Sequence, residues 1–138
     1  MEKQIVWTPE MSVGVEEIDN QHKQFIKLIA DFHLAIGENK LEEELERIFK
    51  SLEDYTGFHF QTEENYFEKF NYEFKDEHIE KHKGFIEKVS VFEERFKKEG
   101  VETNVALDSA DFLLDWLVEH IEDEDQKYVK CFHDNGLF

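Results

Sequence analysis

The sequence predicts an all-α protein, an up-down-up-down four-helix bundle preceded by an extended N-terminal arm, and three observations carry that prediction. Breakers are scarce: one Pro and six Gly in 138 residues leave long stretches that nothing interrupts. Apolar residues recur at intervals of three and four in four successive stretches, the period of an α-helix and not of a strand. The connections between those stretches are only a few residues long, which sets consecutive helices antiparallel and side by side.

Residues 1–15 read as the arm, because Pro9 biases Thr8 away from helix and Gly14 interrupts any periodicity. The first helix is expected from about Asp19, a good N-cap, to Gly37. Its apolar stripe is Ile18, Phe25, Ile26, Ile29 and Ile36, and His22 falls in the same stripe. The second helix spans about 41–70, with Leu45, Ile48, Leu52, Tyr55, His59, Glu63, Tyr66 and Phe70 on one face, and a short turn follows at Asn71-Tyr72. The third spans about 74–98, turns His78, His82, Phe85, Val89, Phe92 and Phe96 inward, and is closed by Gly100. The fourth spans about 104–131, capped by Thr103 or Asn104, and carries Leu113, Leu117, His120 and Ile121 before Asn135-Gly136 stops it. No linker divides the chain, so 1–138 is expected to be one domain with a core of useful size.

Composition excludes several function classes. With 40% hydrophobic residues and 14 Phe the chain is globular, not disordered. The 34 acids against 16 Lys and Arg give a formal charge of −18, a field that repels phosphate backbones and anionic lipid, so neither nucleic acid nor a membrane surface is an expected partner. No apolar run is long enough to span a bilayer. The first residues lack the apolar segment of a signal peptide, and the single Cys131 has no internal disulfide partner, so the expected location is cytoplasmic.

The remaining information lies in the histidines. His59-x-x-x-Glu63, His78-x-x-x-His82 and His120 followed five residues on by Asp125 occur in order, one per expected helix, with His22 on a fourth. Residues four apart lie one turn apart on one helix face, roughly 6 Å along the axis, so each such pair can enter one cavity. Imidazoles and carboxylates together suit a redox-active iron pair, the carboxylates being able to bridge two ions. Singly, each pattern is close to what chance gives in a chain this rich in acids. Jointly, five imidazoles and a carboxylate on apolar stripes are costly to bury unless a metal takes them all. His33 is about 16 Å further along the axis from His22 and reads as a boundary histidine, as does His133; Cys131 reads as a plain thiol. Asp125 resists simple geometry: five residues turn it about 140° from His120 on a straight helix, and Glu124 points more directly inward. For Asp125 to enter the cavity, either the helix carries a local wide, π-type turn or the Asp side chain approaches sideways toward the second ion.

The set His22, His59-x-x-x-Glu63, His78-x-x-x-His82 and His120-Ile-Glu-Asp-Glu-Asp125 resembles the ligand pattern of the hemerythrin family. Val13-Gly14-Val15, Asp19-Asn20-Gln21-His22 and Trp116-Leu117-Val118-Glu119-His120 are similar to its prokaryotic branch. The likeness covers nearly the whole chain and fills all seven ligand positions. It implies a bundle holding two non-haem iron ions, a di-iron centre with a bridging oxygen species, for reversible binding of dioxygen. It further implies that His78, His82 and His120 saturate one iron. His22 and His59 hold the other and leave it an open position, and Glu63 and Asp125 bridge the pair. The resemblance therefore chooses Asp125 where geometry favours Glu124. Ferritin-like sites use Glu-x-x-His and are mainly carboxylate-ligated; this chain has no Glu-x-x-His.

The expected function is oxygen carriage, storage or delivery by a protein that is not an enzyme. Leu117, Ile18 and Phe25 are available to line a dry oxygen pocket. The alternative is a module that senses oxygen or redox state and acts through a separate partner protein.

Overall fold

The structure, a computed structural model, describes residues 6–138. The first five residues of the expected arm lie outside that range. Four helices form the bundle: α1 over Glu16–Gly37, α2 over Leu41–Lys69, α3 over Lys75–Glu99 and α4 over Thr103–Glu119. A π turn, His120–Glu124, and a 3-10 turn, Asp125–Tyr128, extend α4 into the short α5, Val129–Asp134. Helix α1 packs on α2 and α4, and α3 closes the ring against the same two. No described residue is in a strand, and no helix is long and apolar enough to cross a membrane.

The expected elements differ from the observed ones in three places, each for a local reason. Helix α1 begins at Glu16, one turn before Asp19, because the Asp19 carboxylate reaches back and accepts from Ser12 Oγ at 2.5 Å and from the Val13 N–H at 2.8 Å. Asp19 thus anchors the arm instead of capping the helix. The cap of α4 is Glu102, whose carboxylate accepts from the N–H groups of Asn104 and Val105. The expected fourth helix is not one helix, since regular geometry ends at Glu119. Elsewhere the breakers act as their chemistry requires. Asn71 turns the chain between α2 and α3 at a φ of 51°, and Gly100 leaves α3 at 79°, the left-handed region that Gly and Asn tolerate best.

The arm is extended apart from a 3-10 turn over Pro9–Met11, and it is part of the core: Met11, Val13 and Val15 are buried. The core consists of two apolar clusters. The larger holds Phe25, Ile29, Phe32, Phe49, Phe60, Phe85, Leu117 and Ile121 with their neighbours. The smaller holds Val13, Val15, Ile18, Phe67, Tyr72, Tyr128 and Phe132. Each fully buried Phe is worth roughly 1.5–3 kcal/mol. The polar layer between the clusters therefore sits where apolar packing would otherwise be continuous.

Candidate metal centre

That layer is made by α1, α2, α3 and the irregular segment that follows α4. On α1, His22 lies between Ile18 of the smaller cluster and Phe25 of the larger; on α2, which runs through the clusters in the opposite order, His59 and Glu63 lie between Leu52 of the larger and Phe67 of the smaller. His78 and His82 come from α3; His120 opens the π turn and Asp125 follows directly after it. The turn closes with the Asp125 N–H donating to the His120 carbonyl, a span of five residues, and this rotates Asp125 inward. All seven side chains are buried, none more than 5% exposed.

Their donor atoms converge on two points. Glu63 Oε1 lies 3.4 Å from His59 Nε2 and 3.2 Å from His82 Nε2, and Glu63 Oε2 is 3.9 Å from His22 Nε2. Asp125 Oδ1 lies 3.0 Å from His78 Nε2 and 3.1 Å from His120 Nε2, while Oδ2 is 3.1 Å from His22 Nε2. One donor atom each from Glu63, His78, His82 and His120 falls within 4.8 Å of the others, and so do those of His22, His59 and Glu63. Each carboxylate thus faces both histidine groups.

Close approach here is not hydrogen bonding. His22 Nε2, His78 Nε2, His82 Nε2, His120 Nε2, Glu63 Oε1 and both oxygens of Asp125 are buried without a hydrogen-bond partner. Orphaned buried polar atoms are costly, and seven in one layer are not an accident of packing. Donor atoms on one divalent ion, at about 2.1 Å and near-right angles, lie about 3 Å apart. The observed 3.0–3.4 Å separations fit a pair of cations shared by the two carboxylates.

The outer face of the layer is held by groups that no sequence pattern announced. Glu64 Oε2 lies 2.8 Å from His82 Nδ1, and Gln21 Oε1 lies 2.8 Å from His59 Nδ1. With both Nδ1 atoms donating outward, these bonds hold the two rings so that each Nε2 faces the layer and could offer a lone pair to a metal. The Tyr128 hydroxyl donates to Glu63 Oε2 at 2.5 Å. Phe60 stacks on His82 with ring centroids 3.8 Å apart, and Trp116 stacks on His120 at 4.4 Å.

The electrostatics without metal show what the layer lacks. Burial drives the His59 imidazole down to about 3, with Glu63 only partly opposing it, so that ring is neutral. For His82 burial also lowers the value, but Glu63 and Glu64 outweigh it and carry the ring up to about 9. Burial and the Asp125 charge push Glu63 upward, yet His59 and His82 hold it down to about 2. Burial likewise opposes ionisation of Asp125, and His120, His22 and His78 keep it well below the carboxylate range. Without a metal, the Glu63 carboxylate thus stays charged in an apolar core with a proton held on His82 beside it, the place a cation would take.

The other singled-out residues fall as follows. Phe25 and Leu117 are fully buried in the larger cluster, with the Phe25 ring 5.8 Å from that of His59; Ile18 is fully buried in the smaller. The three pocket candidates therefore flank the layer from opposite sides. Glu124 points outward, paired with Lys81 and Lys127. His33 Nε2 is 3.4 Å from Asp111, and His133 Nε2 lies 2.9 Å from the Gly14 carbonyl of the arm. Cys131 is a half-buried free thiol.

Comparison with known proteins agrees with this geometry. A family model described as the hemerythrin HHE cation binding domain matches residues 13–132. A bacteriohemerythrin from Pseudomonas aeruginosa is 33% identical over 125 residues, covering 91% of this chain and 79% of its own length. A bacteriohemerythrin from Clostridium acetobutylicum is 28% identical, covering 90% and 98%. The myohemerythrin of Theromyzon tessulatum is 30% identical, covering 88% of each. A crystal structure of wild-type hemerythrin superposes with a TM-score of 0.83 at 27% identity, over 94% of this chain and 98% of the other. With a buried histidine–carboxylate layer at its centre and relatives of this kind along nearly its whole length, the chain belongs to the hemerythrin family, on its bacterial branch.

Proposed function

We propose that this protein binds dioxygen reversibly at a non-haem di-iron site, for carriage, storage or delivery, and turns over no substrate. The observation that carries the reading is the pair of buried carboxylates, each facing both histidine groups, with Glu63 Oε1 and both Asp125 oxygens lacking hydrogen-bond partners. His78, His82 and His120 would hold one iron and His22 and His59 the other, with Glu63 and Asp125 facing both groups. The His22–His59 group has one histidine fewer, which would leave room there for dioxygen. A ferrous pair held there would supply the electrons for binding dioxygen and take them back on its release.

The chain's own part is to hold, neutralise and exclude. Five uncharged imidazoles against two carboxylates give a ligand set of low charge, which favours the ferrous pair and mild oxygen chemistry. The outer bonds of Gln21 and Glu64 keep His59 and His82 aimed inward. Phe25 and Leu117 on one side and Ile18 on the other keep water from the site, the condition under which oxygen leaves without oxidising the metals irreversibly.

The test is the optical spectrum of purified protein with its iron content measured. Two irons per chain and an absorption band that appears in air and vanishes on oxygen removal are expected. One iron per chain, zinc at full occupancy in protein made with ample iron, or steady consumption of a reductant or peroxide would sink the reading.

A further inference from the structure

The two histidine groups are backed by different chemistry. Behind His82 stands a carboxylate, Glu64, whose Oε2 takes the Nδ1 proton at 2.8 Å. Behind His59 stands an amide, Gln21, whose Oε1 takes the Nδ1 proton at the same distance. That amide is not free to flip. Its Nε2 donates to Thr62 Oγ1 at 3.3 Å, and the Thr62 hydroxyl donates in turn to the Phe58 carbonyl at 3.1 Å. Tyr55 also donates to the Gln21 main-chain oxygen at 3.2 Å. Behind His22, Nδ1 is buried with no partner at all.

We propose that these outer hydrogen bonds make the two metal positions unequal, Glu64 strengthening the position of His78, His82 and His120 while Gln21 leaves the His22–His59 position the weaker. The inference rests on the paired-metal reading above and adds to it an order of loading and loss. An Nδ1–H that donates to a carboxylate is partly shared with it, so the opposite nitrogen becomes a stronger donor to a cation. The negative charge also lies one ring away from the ion. A neutral amide orients its histidine equally well but adds neither effect. His22, with no acceptor for its Nδ1–H, gains nothing from outside and bears the cost of an unsatisfied buried donor. All three observations act in one direction. The three-histidine position fills first and empties last, and the ion at the His22–His59 position is the exchangeable one. Glu64 and Gln21 are positioning residues here, since neither touches the metal.

Cobalt(II) tests this without oxygen chemistry. The metal-free full chain is titrated anaerobically by calorimetry and by visible d–d absorption, in wild type, Glu64→Gln and Gln21→Glu. Wild type should take up two cobalt ions in two resolved steps. Glu64→Gln keeps the shape and the hydrogen bond but removes the charge, so the tighter step should weaken about tenfold and approach the other. Gln21→Glu should tighten the weaker step by about tenfold. Thr62→Val frees the Gln21 amide to rotate and reads the same step independently: that step should weaken. A role in folding alone would lower Tm and shift both steps together, which overturns the inference. Two ions bound with unchanged steps in all three variants overturns it as well and leaves the paired-metal reading standing. Fewer than two ions in wild type overturns the paired-metal reading itself.

Discussion

Helix α2 and the irregular segment after α4 each bring one histidine and one carboxylate to the metal layer, and they do so by different means. In α2, His59 and Glu63 are four residues apart, and an ordinary helical turn aligns them with nothing added. After α4, His120 and Asp125 are five apart, and only the π turn aligns them. That turn disturbs the regular ladder, and a side chain of the same segment spans the break and ties it to the arm. Gln126 Nε2 donates to the Ile121 carbonyl at 3.4 Å and to the Ser12 carbonyl of the arm at 3.1 Å. Tyr128, one turn on, binds Glu63 across the bundle. A side chain on a regular turn is aimed by its own helix; one on a wide turn depends also on the contacts that hold the turn open.

The largest test of this contrast is the choice of carboxylate. Asp125→Ala removes the partner of three histidines and should abolish the paired site, with iron content falling well below two per chain. Glu124→Ala, at the spacing a straight helix would favour, should leave iron content and spectrum nearly unchanged because Glu124 pairs with surface lysines. The reverse outcome would mean that the wide turn is not the working geometry. Next comes Leu117, on the last regular turn before the irregular one. Leu117→Ala should destabilise by about 2–5 kcal/mol through the cavity it leaves. The reduced protein should also oxidise faster in air with its iron retained. An oxygenated form as long-lived as wild type would show that Leu117 is core and nothing more.

Two smaller effects compare the segments directly. Gln126→Ala strands two main-chain carbonyls and should cost about 1–3 kcal/mol in urea unfolding. Gln61→Ala, an exposed glutamine on α2 bonded only to Asn65, should stay within about 0.5 kcal/mol. Equal effects would remove the distinction. The mildest test is pH. In metal-free protein Glu63 and Glu64, neighbours on α2, help to raise His82 to about 9 from an ordinary 6.5. The stability this confers is fully present below pH 6.5 and is lost as pH rises through about 9. A metal ion replaces that proton, so the Tm gap between loaded and metal-free protein should widen from pH 6.5 to 9. A constant gap would show that His82 does not carry the proton.

What was legible in the sequence follows the same division. His59, Glu63, His78 and His82 could be placed on one cavity from helical spacing alone, and the four apolar stripes sufficed for the bundle. Asp125 could be chosen only by family resemblance, because spacing within one helix argues for Glu124 and the turn that reverses this is stabilised from the arm. Gln21, Glu64 and Tyr128 were not legible. Their partners lie 38, 18 and 65 residues away in sequence, and nothing local distinguishes them from other polar residues in so charged a chain. Asp19 was misassigned as a cap for a related reason: a carboxylate near a helix start satisfies whichever N–H groups the preceding chain presents, and the arm folded back to present Val13.

The stack of Trp116 on His120, with ring planes 12° apart, gives the molecule a built-in light signal. It has two tryptophans. Trp7 lies in the arm beneath the Lys23 ammonium, whereas Trp116 touches a ring that donates to the metal layer. A paramagnetic ion bound through that ring drains the excited indole before it can emit. Filling the site should therefore darken Trp116 and spare Trp7, so that emission from the untreated protein reports occupancy against its own internal standard.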